Sequence, residues 1–167
     1  METCASLIES RQSAPIVDQL KLLTGTGLQK CKVSSVLNKS AEFAGQNMFD
    51  YGKDSCWNSD QGAHQFVMID FQRNVCMTHI GFIFQGGFVG KKCQVEIGAK
   101  LNDMKLVHTL DPEDNNSYQM FSLTSDPTLS RFVGRYLKLL FTECTDFYGR
   151  ITVYKLEVHG YDVTSES

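Results

Sequence analysis

The chain has 167 residues, 42% hydrophobic and 21% charged, a length and composition that suit one folded domain and leave little room for a second. Its formal charge is -3 and it contains no basic run. Direct DNA or RNA binding is therefore disfavoured, because the lysines and arginines are not gathered into a run that would neutralise phosphates. No apolar stretch reaches the roughly 18 to 20 residues of a membrane-spanning helix, so no membrane role is expected.

Met1 to Gln12 carry Glu2 and Glu9 and only the short apolar pair Leu7-Ile8. This does not read as a secretory signal, and the expectation is a soluble intracellular protein. Residues 1–30 form an extension. Ser13 suits a helix cap and Pro15 its first turn, Ile16, Leu20 and Leu23 fall on one face, and Gly25 and Gly27 end the pattern. So short a helix is marginal alone, which leaves a short amphipathic helix or disorder as the alternatives.

From Lys32 the apolar period becomes two. Strands are predicted at 33–37, 65–71, 79–84, 94–100, 105–110, 118–123, 135–141 and 150–159. Polar breaks such as Asp111-Pro112-Glu113-Asp114-Asn115-Asn116 and Ser125-Asp126-Pro127 separate them, with no room for a βαβ crossover. The fold class that follows is all-β, an antiparallel jelly-roll β-sandwich of about eight strands over residues 31–162, with a frayed tail at 163–167.

Cysteines at 4, 31, 56, 76, 93 and 144 contain no C-x-x-C pair and are not grouped with His64, His79, His108 or His159, so they read as reduced thiols rather than a zinc site. No G-x-S-x-G elbow or phosphate loop occurs, and Cys144 has no histidine in its own segment. The expectation is a non-enzymatic chain with no cofactor.

Phe49-Asp50, Trp57 seven residues after the Asp, Ile80-Gly81-Phe82-Ile83-Phe84-Gln85-Gly86-Gly87, Tyr136-Leu137-Lys138-Leu139 and Leu156-Glu157-Val158-His159-Gly160 together resemble the discoidin, or coagulation factor V/VIII type C, domain. That likeness implies a galactose-binding-like sandwich whose loops at one end bind sugars, phospholipid headgroups or proteins. Ser34-Ser35-Val36-Leu37-Asn38, Cys56-Trp57-Asn58-Ser59-Asp60-Gln61-Gly62, Phe84-Gln85-Gly86-Gly87-Phe88, Pro112-Glu113-Asp114-Asn115-Asn116-Ser117 and Thr145-Asp146-Phe147-Tyr148-Gly149-Arg150 are also similar to a more specific family. Its members are small intracellular proteins that associate with the testicular orphan nuclear receptor. The resemblance implies a nuclear protein, with the cytoplasm as a second location, that binds this receptor and represses transactivation by keeping it from its DNA response element.

The loops can then be read for chemistry. Calcium-holding relatives of the discoidin domain place an Asp seven residues before the Trp, a Thr two before it and a Glu on the last strand. Here these positions hold Asp50, Ser55 and Lys155, with Glu157 two residues on. Calcium requires about six to eight oxygens, so no metal is assigned and Asp50 is expected to cap its loop and pair with Lys155; Glu157 as the true equivalent would reopen the site. Trp57 is expected in the core, anchoring that loop.

Phe88 reads either as a protruding contact or as a ring folded back over the sandwich end. Phe147, Tyr148 and Arg150 are residue types enriched at interface hot spots, and they compete with a reading in which Asp146 and Arg150 merely bridge the loop. Asp60 and Gln61 complete the loop-end set, as partner contacts or as hydrogen-bonding groups of a lectin-like hollow for a glycan or other small polar ligand.

Overall fold

The structure is a computed structural model that describes residues 20–25, 27–52, 54–123 and 132–163. Nine strands run through these residues: β1 (Lys21–Leu22), β2 (Lys30–Val33), β3 (Trp57–Asn58), β4 (Phe66–Phe84), β5 (Gly90–Gly98), β6 (Lys105–Leu110), β7 (Tyr118–Ser122), β8 (Phe132–Cys144) and β9 (Thr152–Asp162). Every pairing is antiparallel. The all-β sandwich expected from the period-two pattern is what forms.

The two layers share β4, a strand of 19 residues. Its first half pairs with β2 and β8, and β8 continues the layer to β5 and β6. Its second half pairs with β9 and β7, and β9 also carries β1 and β3. Hydrogen bonding is therefore continuous through both layers. Phe66 lies opposite Leu140 near the end of β8, and Phe84 lies opposite Val153 near the start of β9, so β4 leaves one end of the sandwich and returns to it.

The reversal occurs between Asp70 and Val75, where the β8 register slips and Gln72 takes a positive φ of 62°. Two separate strands, at 65–71 and 79–84, were the expectation. Arg73 and Asn74 look like a break in sequence, and the ladder with β8 does stop at Asp70, but it resumes at Val75, where β8 and β9 both receive the strand.

Alternate side chains of the long strands fill the space between the layers. Val67, Ile69 and Phe71 come from one half of β4 and Ile80, Phe82 and Phe84 from the other, joined by Val95, Leu137, Leu139, Phe141, Val153, Leu156 and Val158, all nearly inaccessible. Phe82 and Phe84 stack with centroids 4.9 Å apart, and Phe141 meets each edge-on at 6.1 Å.

The predicted helix before Gly25 needs correction. Ile16 lies outside the described residues, but Lys21 and Leu22 form a strand opposite Gly160 and His159. The Leu23 N–H donates to the Val158 carbonyl at 2.8 Å and its side chain is fully buried. A free strand edge and an apolar slot outweigh a helix too short to hold itself. The sandwich thus reaches back before residue 31.

The strand expected at 33–37 also moves, to Lys30–Val33, and residues 37–49 follow as three 3-10 turns. Ser34 and Ser35 turn their hydroxyls onto Gln65, which takes the chain out of the ladder. The turn at Ser125-Asp126-Pro127 and tail residues 164–167 lie outside the described residues.

Ion pairs brace the far end of the sandwich. Arg135 grips Asp70 with Nε and Nη2 at 2.8 and 3.0 Å, and Lys21 and Arg73 both reach Asp162. These contacts lower both carboxyls from the ordinary value of 3.8: chiefly the Arg135 hydrogen bonds for Asp70, and those of Lys21 and then Arg73 for Asp162.

A depressed folded-state pKa contributes stability that is complete above the unfolded value and is lost as pH falls through the folded one. Urea midpoints should therefore hold down to about pH 4 and decline below it. Arg135→Met should make that decline shallower; an unchanged slope would show that the pair contributes nothing.

Candidate functional site

Three loops meet where β4 begins and ends: 59–65, 85–89 and 145–151. Gln65 joins two of them. It is 4% exposed, accepts from Ser34 and Ser35 hydroxyls at 2.5 and 2.8 Å, and donates through Nε2 to the carbonyls of Asp60 at 2.9 Å and Gly62 at 3.2 Å. Ser35 extends the web, because its hydroxyl takes the Asp60 N–H and its carbonyl takes the Trp57 indole N–H at 2.9 Å. Ser59, also buried, accepts the Ile151 N–H at 2.8 Å and donates to the Asp60 carbonyl. Buried polar groups satisfied this completely fix loop geometry.

The loop after β8 is wound around one carboxylate. Asp146 Oδ2 accepts the N–H groups of Tyr148 and Arg150 and the Arg150 Nε, and Oδ1 accepts Arg150 Nη2, all between 3.0 and 3.2 Å. The Arg150 hydrogen bonds are the first cause that lowers the Asp146 pKa. With the carboxylate turned inward, the aromatics beside it turn out: Phe147 is 92% exposed and Tyr148 57%, edge-to-face with centroids 5.3 Å apart. The Arg150 guanidinium lies 5.2 Å from the centre of the Phe88 ring and 5.5 Å from that of Tyr148, so one cation links the two loops.

Backbone contacts complete the junction. The Thr145 N–H donates to the Val89 carbonyl, the Val89 N–H donates to the Thr145 hydroxyl, and the Gly62 N–H donates to the Tyr148 carbonyl. Gly149 has φ of 81°, and a Cβ there would stand 2.3 Å from the Gly62 carbonyl oxygen. Gly149→Ala is expected to cost about 2 kcal/mol or more from the left-handed backbone and the clash together. Chemical denaturation measures it, and a loss under about 0.5 kcal/mol, the size of a neutral surface change, would contradict the geometry.

The structure brings Phe88, Phe147, Tyr148 and Arg150 into one patch, and Asp60 and Gln61 stand exposed on the neighbouring loop, where Asp60 Oδ1 takes the Gln61 N–H at 3.1 Å. Phe88 is half-buried beneath Arg150 rather than a free spike. Trp57 is fully buried opposite Val153.

The expected Asp50–Lys155 pair is not made. Asp50 Oδ1 accepts the Gly52 N–H at 3.0 Å and the Ser55 hydroxyl. Lys155 Nζ instead lies 3.9 Å from Glu157 and 5.5 Å from the centre of the Tyr51 ring. Glu157 is the nearer carboxylate because it projects from the same face of β9, whereas Asp50 satisfies its own loop. Among the described residues no group of three or more His, Cys, Asp or Glu is placed to hold a metal ion.

Sequence reasoning missed Gln65. Its signal was phase: in β4 the inward positions are 67, 69 and 71, so 65 belongs to the same buried face, where a polar residue requires partners. Beside the aromatic pair lies an open hollow of about 420 Å³, with His64, Lys91, Glu143 and Cys144 among its walls. Burial pushes the Cys31 thiol up to about 12 and raises those of Cys56, Cys93 and Cys144, which favours the thiol over the nucleophilic thiolate at these four positions.

A β-sandwich ending in braced loops has the architecture of the galactose-binding-like, discoidin-type fold, and solved structures agree. A fucolectin from striped bass serum, Morone saxatilis, superposes with a TM-score of 0.71 at 17% identity over 89% of this chain and 51% of that one. The family 32 CBM from C. perfringens NanJ, solved in complex with galactose, gives 0.67 at 13% identity over 84% and 98%. At such identities the likeness is one of fold.

No family model matches the chain. Curated relatives do. The protein named nuclear receptor 2C2-associated protein in Danio rerio is 41% identical over 130 residues, 77% of this chain and 89% of that protein. The protein of that name in Homo sapiens is 37% identical over 133 residues, covering 79% and 91%. The chain belongs to the nuclear receptor 2C2-associated protein family.

Proposed function

We propose that this chain is a non-enzymatic module that associates with an orphan nuclear receptor through its loop end and represses transactivation by keeping the receptor from its DNA response element. The family's name supports receptor association. The observation that carries the choice of surface is the exposed Phe147–Tyr148 pair on a loop that Asp146 and Gln65 brace from beneath. Exposed aromatics on a preorganised loop bind at low entropic cost and are typical hot spots. Repression follows by masking: the module occupies receptor surface that DNA binding or dimerisation requires, without itself touching DNA. This role places the protein in the nucleus, with the cytoplasm as a second location.

The test is a titration of the full chain against the receptor's DNA-binding and ligand-binding regions separately. Phe147→Ala should weaken binding by about 2 kcal/mol, roughly thirty-fold, with its melting temperature unchanged, since the ring supports nothing beneath it. Equal affinities for variant and parent would remove the loop end from the interface.

A second reading, a lectin-like module, draws on the hollow beside the same aromatics and on the fold of its carbohydrate-binding neighbours. Asp60 and Gln61 remain available to it, but the Arg150 fork is committed to Asp146. A glycan array with and without Phe147→Ala separates the two.

A further inference from the structure

We propose that His79 and His159 form a two-histidine binding site for a divalent transition-metal ion of the zinc, nickel and copper class, on the outer face of the β4–β9 layer. Such a site is independent of receptor association. The two residues share no motif in sequence, but the register of β4 and β9 sets them directly opposite each other. Ile80 and Phe82 of one strand and Leu156 and Val158 of the other point into the core, so positions 79, 157 and 159 turn outward together. Side chains directly opposed across an antiparallel pair have Cβ atoms about 4.5 to 5.5 Å apart, a span over which two imidazoles can share one ion. A charge on one of these rings is felt at the other.

Hydrogen bonding leaves each ring one free nitrogen. His159 Nε2 lies 3.0 Å from Glu157 Oε2, and an ionised carboxylate only accepts, so Nε2 carries the proton and Nδ1 keeps its lone pair. Thr78 has one hydroxyl proton, which goes to the His159 carbonyl at 3.1 Å. Its oxygen therefore accepts from His79 Nδ1 at 2.8 Å, and the lone pair of His79 sits on Nε2. Among the described residues neither of the two lone-pair nitrogens has a hydrogen-bond partner.

A hydrogen bond from the second ring nitrogen is what fixes the tautomer and orientation of a metal-ligating histidine, and Glu157 on His159 is its carboxylate form. Glu157 Oε1 lies 3.9 Å from Lys155 Nζ, which steadies the carboxylate from its other side. Imidazole suits zinc, nickel and copper, whereas calcium and magnesium require oxygen ligands. No group of three His, Cys, Asp or Glu residues is placed to hold an ion among the described residues, so two imidazoles are the protein's whole contribution and water fills the other positions. The site is open rather than a closed structural cage. An ion held there ties β4 to β9 and, by binding the folded chain, stabilises it through mass action.

The test titrates zinc chloride into the full chain, free of any affinity tag, and follows the histidine ring protons by NMR. Saturable binding is expected, with the His79 and His159 rings shifted and those of His64 and His108 unmoved. His79→Gln and His159→Gln should each abolish saturation over the parental range, and Glu157→Gln should weaken binding about tenfold through the lost support of His159. Calcium and magnesium should leave the spectrum unchanged. Zinc should raise the melting temperature of the parent and not that of His79→Gln.

Glutamine keeps a polar side chain at these half-buried positions, and melting without zinc shows whether each variant folds. If one does not, the ring shifts of the parent and the Glu157→Gln titration decide the question. No saturable binding by the parent, parental affinity in either glutamine variant, or equal shifts at His64 and His108, which mean an adventitious ion only, would overturn the inference. Because the titration contains no receptor, none of these outcomes bears on the receptor reading.

Discussion

Trp57→Ala is expected to destabilise the protein by about 3 to 5 kcal/mol, the range for deleting a large aromatic from a packed core. The indole is fully buried, and its loss also strips the Ser35 carbonyl of its 2.9 Å donor. Because small domains hold only about 5 to 15 kcal/mol in all, the variant should populate unfolded chains at physiological temperature. Denaturant unfolding measures this. Trp57→Phe serves as the comparison: it keeps most of the volume and removes the N–H, so a loss of about 1 to 3 kcal/mol is expected from the orphaned carbonyl and the smaller ring. Equal stability for parent and Trp57→Ala would mean that the ring does not pack as described.

Gln65→Leu is expected to have the second largest effect. Leucine nearly preserves volume but leaves the Ser34 and Ser35 hydroxyls without their acceptor, the Gly62 carbonyl without its side-chain donor and the Asp60 carbonyl with the Ser59 hydroxyl alone. Unsatisfied buried groups cost about 1 to 3 kcal/mol each when they cannot reach water. Relaxation of the 59–65 loop recovers part of that, for an expected net loss of about 3 kcal/mol.

The informative readout is local. Hydrogen exchange should accelerate at Gly62 and Ile151, whose N–H groups bond across the junction. Receptor affinity should fall even though Gln65 is buried beneath the proposed contact surface. Fast exchange with undiminished affinity would mean that bracing does not matter for recognition.

The fold was legible where the chain alternates and illegible where tertiary partners decide. Strand β6 falls on the predicted 105–110, and β8 and β9 contain most of the segments expected for them, because inward Val, Leu and Phe alternate with polar residues there. The join across 72–78 could not be read, since Gln72-Arg73-Asn74 has turn composition and its pairing depends on both layers. The strand at Lys21–Leu22 was hidden for a related reason: Leu20 and Leu23 suit a helix face, and only the edge of β9 makes extension preferable.

The site divided along the same line. Phe147, Tyr148 and Arg150 could be picked out by residue type, but the inward turn of Asp146 that exposes the rings is a matter of backbone hydrogen bonds. Lys155 looked like a partner for Asp50 because loop and strand can meet in a sandwich. The side-chain phase along β9 gives it Glu157 instead.

Masking by the loop end of receptor surface needed for DNA binding can be read from competition. Labelled response-element DNA bound to the receptor's DNA-binding region is titrated with the parent chain, with Phe147→Ala and with Gln65→Leu. The parent should displace the DNA saturably, both variants should require more protein to do so, and the free chain should not bind the DNA. Undisturbed receptor–DNA complex at concentrations where the chain demonstrably binds the receptor would contradict masking.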